Sequence, residues 1–235
     1  LGVDVVFSAV RGGQVARIKQ IISLTNTDLL ILTQDDIVFT PDTIAKIVGT
    51  FEKNPHITMV GARMRSKQPK HWFEKIVDIA VEGNYEVGKS WKKGDNYLMA
   101  SGRCLAFRTK FIKRFNIPEE VINSDAYLYF ENKRNGGKFL PLANAIVYNK
   151  TVEKLGEHLK QSRKFQVSQK ENEKYSGVNL GNEYNVPLSP RLRALVVMLA
   201  RYPFWTPAYI VARIYTRLVG RDMYAKATRF WTTDV

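Results

Sequence analysis

Two adjacent carboxylates, Asp35 and Asp36, follow closely on the apolar run DLLILT at residues 28–33, with Thr33 and Gln34 beside them. Carboxylate oxygens at the end of a rigid segment are hard ligands that suit Mg2+ or Mn2+. A divalent ion there would bridge diphosphate oxygens and stabilise a nucleotide leaving group. An acidic pair also caps loops and helices, and as a bare dipeptide that reading prevails. The position of Asp35 and Asp36, after a strand and before a capped helix, turns the balance toward the metal. Other chemistries find little support. Cys104 is the sole cysteine, so no disulfide forms within the chain, and it reads as a small core residue. His56, His71 and His158 are scattered and lack zinc-ligand spacing.

The surrounding pattern supplies the elements that must position these groups. Val3–Val10 is β-branched and reads as a buried strand, and residues 14–25 carry Val15, Ile18, Ile21 and Ile22 at helical spacing. Asp28–Thr33 is a second buried strand. Thr40 is placed to cap a helix over 41–53, with Pro41 in its first turn. Further segments follow: a strand at Ile57–Ala62, a helix at 71–83, a strand at Cys104–Phe107 and a short helix at 110–115. A helix then runs from Ser124 to the Gly136-Gly137 stop, followed by a strand at Phe139–Tyr148 and a helix over 154–170. Strands alternating with helices at this spacing predict an α/β fold with a mostly parallel sheet flanked by helices. Ligands of such sheets bind beyond the carboxyl ends of the strands, where Asp35 and Asp36 fall.

The chain divides by composition into a core at 1–170, a polar linker at 171–190 and a basic, aromatic segment at 191–235. Its net charge of +14 is read equally as a well-solvated basic surface or as the mark of an anionic partner, among nucleic acid, anionic lipid and phosphate-bearing substrates. Arg191, Arg193, Arg201, Arg213, Arg217, Arg221, Lys226 and Arg229 lie among apolar and aromatic residues and face only Asp222 and Asp234 as acids. No apolar run there reaches the roughly 20 residues needed to cross a bilayer. Basic amphipathic helices of this kind suit an anionic membrane interface; a helical pair packed on the core with its arginines in solvent is the plainer alternative. Charge and aromatics also permit a nucleic-acid-binding domain, but no interleaved binding motif is present and nucleic acid is not the expected partner.

Several segments carry a family resemblance. Arg11-Gly12-Gly13-Gln14-Val15-Ala16-Arg17, followed by TDLLILTQDDIVFTPDTI, resembles the core of family 2 glycosyltransferases with the GT-A fold. There an apolar strand ends in an aspartate-any-aspartate motif; here Thr33 stands in the first aspartate's place, and Asp35 is the best match to the metal-binding residue. The segment SGRCLAFRTKFI from Ser101 resembles the family's small-residue stretch and strand below the acceptor. Ile122-Asn123-Ser124-Asp125 resembles its Glu-Asp motif, with Ser124 replacing the glutamate and Asp125 at the place of the catalytic base. Gln161-Ser162-Arg163-Lys164-Phe165 resembles the Gln-any-any-Arg-Trp motif of membrane-associated polysaccharide synthases.

The resemblance implies an inverting glycosyltransferase that uses a nucleotide-diphosphate sugar, Mg2+ or Mn2+, and a lipid-linked or glycan acceptor. It would work peripherally at the cytoplasmic face of the cell membrane. Asp35 and Asp36 would hold the metal and Asp125 would be the base. Arg11, Gln34, Ser124, Gln161, Lys164 and Phe165 would meet substrates, and Arg63 and Arg65 join Arg11 as phosphate or acceptor contacts. The strand and helix that bind the nucleobase in the family have no match in the chain, so a natural N-terminus upstream of Leu1 is expected. The reduced acidic motifs leave a second reading open, that of a catalytically impaired scaffold in a membrane glycan-synthesis complex.

Overall fold

The computed structural model describes residues 4–7, 12–151, 158 and 168–220, with only the backbone of 216, 217, 219 and 220. In order come α1 (Gly13–Leu24), β1 (Leu29–Thr33), β2 (Ile37–Phe39), α2 (Thr43–Lys53), β3 (Met59–Ser66), α3 (Trp72–Ser90), β4 (Cys104–Arg108), α4 (Thr109–Ile112), α5 (Ser124–Arg134) and β5 (Phe139–Asn149). Helical residues 168–176 (α6) then precede α7 (Gly181–Tyr184), α8 (Leu188–Arg201) and α9 (Trp205–Gly220).

The strands form one sheet in the order β1-β4-β3-β5-β2. Side chains alternate across it because successive residues of a strand point to opposite faces. Leu30, Leu32, Met59, Leu105 and Phe107 enter a core shared with Val15, Ile18 and Ile22 of α1 and with Ala126–Phe130 of α5. Val60, Ala62, Cys104, Ala106 and Val147 enter a second core with Ile47 and Phe51 of α2. Burial on both faces explains why β1 and β4 read as unbroken apolar runs. Cys104 sits inside this sheet, and burial pushes its thiol up to about 12, as befits a core residue.

The α/β class holds, and the pairing is mixed where a mostly parallel sheet was expected. Among the described strands β3 and β5 run parallel, while β1–β4, β3–β4 and β2–β5 are antiparallel. Hydrophobic runs report burial and not direction, so sequence pattern alone does not separate the two. The expected strand at Val3–Val10 is not found where it is described: residues 4–7 lie outside any strand, and Phe7 is 92% exposed. β propensity is a fit to a pleated, half-buried surface, and residues 4–7 pair with no strand among the described residues. Thr40 does not cap α2, whose N-cap is Asp42. Its hydroxyl lies 2.6 Å from that of Thr43 instead. β2, three residues long, is too short to show a period.

Two helices exceed their expected bounds. α3 runs on to Ser90 through Gly83 and Gly88, since its packing against α8 and α9 outweighs the weak helix preference of glycine. Residues 171–190, expected as a polar linker, carry the rest of α6 and all of α7, and Leu180 joins the first core. The Gly136-Gly137 stop does end α5. Gly136 adopts φ +76°, and the N–H groups of Gly136 and Gly137 are donated to the carbonyls of Lys133 and Asn132 at 3.0 and 2.8 Å.

Arg108 fastens the end of β4 to the α2–β3 corner. Its Nε donates to the Ile57 carbonyl at 2.9 Å and its Nη2 to the Phe51 carbonyl at 2.7 Å, with the guanidinium 5.2 Å from the Phe51 ring centre. Arg108→Ala should lower unfolding free energy by about 2 kcal/mol, because charged donors are lost from carbonyls with few other partners. Arg108→Lys, lacking the planar fork, should restore only part of it, as read from urea midpoints.

Candidate functional site

The turn Ser101-Gly102-Arg103 leads into β4 and lies between the two acidic segments. β4 is paired with β1, Thr33 opposite Cys104, so the turn reaches the end of β1. The Thr33 hydroxyl donates to the Arg103 carbonyl at 3.0 Å, and the Arg103 guanidinium stands 4.0 Å from Asp36 Oδ2. On its other side the turn receives Asp125. The carboxylate lies against the α-carbon of Gly102 so closely that a β-carbon at that position would collide with it. Asp36 and Asp125, 89 positions apart in sequence, are thus both in contact with one three-residue turn.

Asp35 and Asp36 form the tight turn between β1 and β2, and both are exposed. Asp35 has no hydrogen-bond or ion-pair partner among the described residues, so its carboxylate is available to a ligand. Asp36 shares its charge with Arg103 across an exposed pair, a contact worth little on its own. No group of three or more potential ligands suited to a metal occurs among the described residues. That donor set fits a hard cation held by one or two carboxylates and completed by substrate phosphates and water. It does not fit a closed structural site. Gln34 lies half-buried between β1 and this turn, where its carbonyl accepts a long bond from Thr33 at 3.4 Å.

Asp125 occupies the second position of α5, not the N-cap, which is Asn123. Unpaired N–H groups of a first helical turn favour negative charge. Ser124 is 1% exposed and its hydroxyl lies 3.2 Å from Asp125 Oδ1, so it braces the carboxylate from within instead of facing a substrate. The approach to α5 is held from α6. Glu171 accepts from the N–H groups of Ile122 and Asn123 at 2.7 and 2.9 Å. The Asn123 side chain donates to Ser168 Oγ at 2.7 Å, and that hydroxyl is 2.7 Å from the hydroxyl of Tyr184. Burial pushes the Tyr184 hydroxyl well above its usual range, so it stays protonated and able to donate.

Some of the residues singled out from the sequence are brought together and others are not. Asp36, Asp125 and Ser124 converge on the 101–103 turn, with Asp35 beside Asp36. Arg63 and Arg65 belong to a separate polar pocket against α3. Arg11, Gln161, Lys164 and Phe165 lie outside the described residues. Sequence reasoning missed Arg103, Gly102 and Glu171 as site residues. The glycine directly ahead of an apolar strand was a usable signal for a close approach. Glu171 had none, since its partners lie 48 and 49 positions away.

No curated protein matches the sequence significantly. The fold is similar to that of mannosyltransferase PcManGT from Pyrobaculum calidifontis, solved in complex with GDP-Man and Mn2+, with a TM-score of 0.51 at 14% sequence identity. The match covers 90% of this chain and 56% of that one, so the chain spans little more than half the length of that enzyme. At this identity the likeness is one of fold, the GT-A glycosyltransferase fold. Residues 2–166 match the profile of the family described as glycosyltransferase like family 2, and the chain belongs to that family.

Proposed function

We propose that the chain is the catalytic part of an inverting glycosyltransferase that moves a sugar from a nucleotide-diphosphate donor to a lipid-linked or polysaccharide acceptor. The observation that carries this reading is the shared 101–103 turn, which keeps the Asp35-Asp36 turn and the Asp125 carboxylate beside one another. Transfer needs charge neutralisation at the leaving diphosphate and a base at the attacking hydroxyl, both within reach of one anomeric carbon.

Asp125 would accept the proton of the acceptor hydroxyl as its oxygen bonds to the anomeric carbon. The bond from that carbon to the nucleoside diphosphate breaks on the opposite face, so the configuration inverts. Ser124 and the bare α-carbon of Gly102 keep the Asp125 carboxylate in place, and Glu171 holds the turn before α5. Asp35, with Asp36, would hold Mg2+ or Mn2+, which supplies Lewis-acid stabilisation of the departing diphosphate. Arg103 adds positive charge on the same side, 4.0 Å from Asp36. The neighbouring mannosyltransferase, described with GDP-Man and Mn2+, supports the metal and the nucleotide-sugar class.

A lipid-linked acceptor is supported by α8 and α9. Leu188, Leu192, Val196 and Leu199 form an exposed stripe along α8, and Val211, Ile214 and Leu218 form one along α9. Between residues 188 and 220 there is no acidic residue, while Arg191, Arg193, Arg201 and Arg213 flank the stripes. No helix among the described residues is long and apolar enough to cross a membrane. Such helices fit an anionic bilayer surface lying in its plane, which would put the enzyme peripherally at the cytoplasmic face.

In the protein assayed with its donor, Asp125→Asn should lower kcat by at least about a hundredfold with donor KM little changed. Full activity in that variant would remove Asp125 from the chemistry. Asp35→Asn should raise the Mn2+ concentration needed for half-maximal rate by at least about tenfold, since loss of even an outer partner of a metal ligand costs that much. An unaltered Mn2+ titration would contradict the metal assignment. For the membrane reading, Val196→Glu with Val211→Glu alters only exposed positions and should abolish flotation with vesicles of phosphatidylcholine and phosphatidylglycerol. Flotation equal to the parent's would refute it.

A further inference from the structure

Between the end of β3, α3 and the end of α8 lies a polar pocket of about 470 Å³, lined by Arg63, Arg65, Ser66, Lys89, Arg201 and Tyr202 among others. It differs in composition from the Asp36–Asp125 site, with which it shares no residue. β3 delivers Arg63 and Arg65 to one face of the sheet, as positions i and i+2 do. An irregularity sits directly before them: the β5 partner jumps from Leu142 at Ala62 to Ile146 at Arg63. Irregularities of this kind re-aim side chains and gather beside functional sites.

The charges of the pocket are unequally committed. Glu82 pairs with Arg63 at 3.0 Å, Glu86 with Arg201 at 2.9 Å and Asp78 with Lys75 at 2.9 Å. All three lining acids are thereby neutralised. Arg65 and Lys89 have no ion-pair partner among the described residues, and they leave the pocket a net cationic surplus. The Arg63 guanidinium is held flat, 4.0 Å from the centre of the Tyr85 ring. Three buried polar atoms, Arg63 Nε, Arg65 Nε and Ser66 Oγ, have no hydrogen-bond partner among the described residues. Buried donors without partners cost about 1–3 kcal/mol each, and these three stand on residues that line the cavity, where water or the polar atoms of a ligand offset such a cost. The Arg65 guanidinium and the Lys89 ammonium, with the Ser66 hydroxyl, match the several acceptor oxygens of a phosphate monoester.

The wall at Arg201 and Tyr202 is continuous with the membrane-facing helices. Phe204, two residues on, is 86% exposed, and the stripes of α8 and α9 extend from either side of this corner. An anionic head in the pocket would therefore have its apolar tail beside the bilayer surface. From this we infer that the pocket binds the phosphomonoester head of a lipid. This rests on the proposed function only in suggesting that such a lipid is the acceptor or its carrier, and binding in the absence of donor tests the pocket separately from transfer.

The full chain is titrated with phosphatidylcholine vesicles containing either phosphatidic acid, a phosphomonoester, or phosphatidylglycerol, a diester, at matched surface charge. Phosphatidic acid vesicles should bind at least about tenfold more tightly, a gap the diester cannot match because its esterified oxygen lacks full charge. Arg65→Gln should erase this preference while leaving binding to phosphatidylglycerol vesicles, and Arg193→Gln, on the exposed face of α8, should keep it. Lys89→Gln, at an exposed position, gives a second variant should Arg65→Gln fail to fold. Equal binding of the two vesicle types overturns the inference, as does a preference that survives both variants. Glycerol 3-phosphate binding as tightly as the phosphatidic acid vesicles would overturn the lipid assignment.

Discussion

The carboxylate of Asp125 rests on a residue that has no side chain, and much of the arrangement follows from that contact. A β-carbon at position 102 would occupy the space of the carboxylate, so the approach of α5 to the start of β4 depends on glycine there. The same turn is tied through the Arg103 carbonyl to Thr33 and through its guanidinium to Asp36. One short piece of backbone therefore stands between two acidic segments whose aspartates, Asp36 and Asp125, are 89 positions apart in the sequence. Its rigidity comes from β4, the second strand of the sheet, which is buried on both faces and hydrogen-bonded to β1 and β3. A site whose groups are to act on one bond needs such a support, since errors near 1 Å in position carry a large cost in rate.

α3 plays the corresponding part on the other side of the molecule. It lies against β3, and α8 and α9 pack on it. Two of its three buried acids, Glu82 and Glu86, are paired with arginines from two different elements, β3 and α8. These partly buried pairs fix which surfaces meet, because removing either partner would leave an uncompensated charge. The basic C-terminal helices are thereby joined to the core, with their apolar stripes turned outward. The helical pair packed on the core and the interface helices, posed as alternatives by the sequence, are compatible: one face of each helix serves packing and another remains exposed.

The residues of α6 and α7 show how support reaches the site from a segment with no apparent chemistry. Glu171 takes up two backbone donors that would otherwise be unpaired ahead of α5, and Ser168, Asn172 and Tyr184 form a buried polar cluster around Asn123. Hydrogen bonds strengthen in such buried surroundings, so the cluster favours one arrangement of Asn123, Ser168, Asn172 and Tyr184. The polar composition of 168–184 thus marks a hydrogen-bonded brace. Composition is a poor guide to whether a polar stretch is solvated or bonded inward.

What the sequence determined by itself was local and periodic. The helices at α1, α2 and α5, the strands at β1, β3, β4 and β5, the glycine stop after α5 and the acidic pair beyond β1 were all legible, because apolar spacing and turn chemistry are properties of neighbouring residues. The order of motifs carried the family. Strand direction was not legible, since burial on both faces leaves the same apolar run in a parallel or an antiparallel strand. Nor were the roles of Gly102, Arg103 and Glu171, or the separation of Arg63 and Arg65 from the acidic site. Those depend on contacts across tens of residues, such as Thr33 with Arg103 and Ile122 with Glu171. Only the sheet register and the packing of α5 and α6 against it bring these groups together, and no periodicity in the chain encodes that distance.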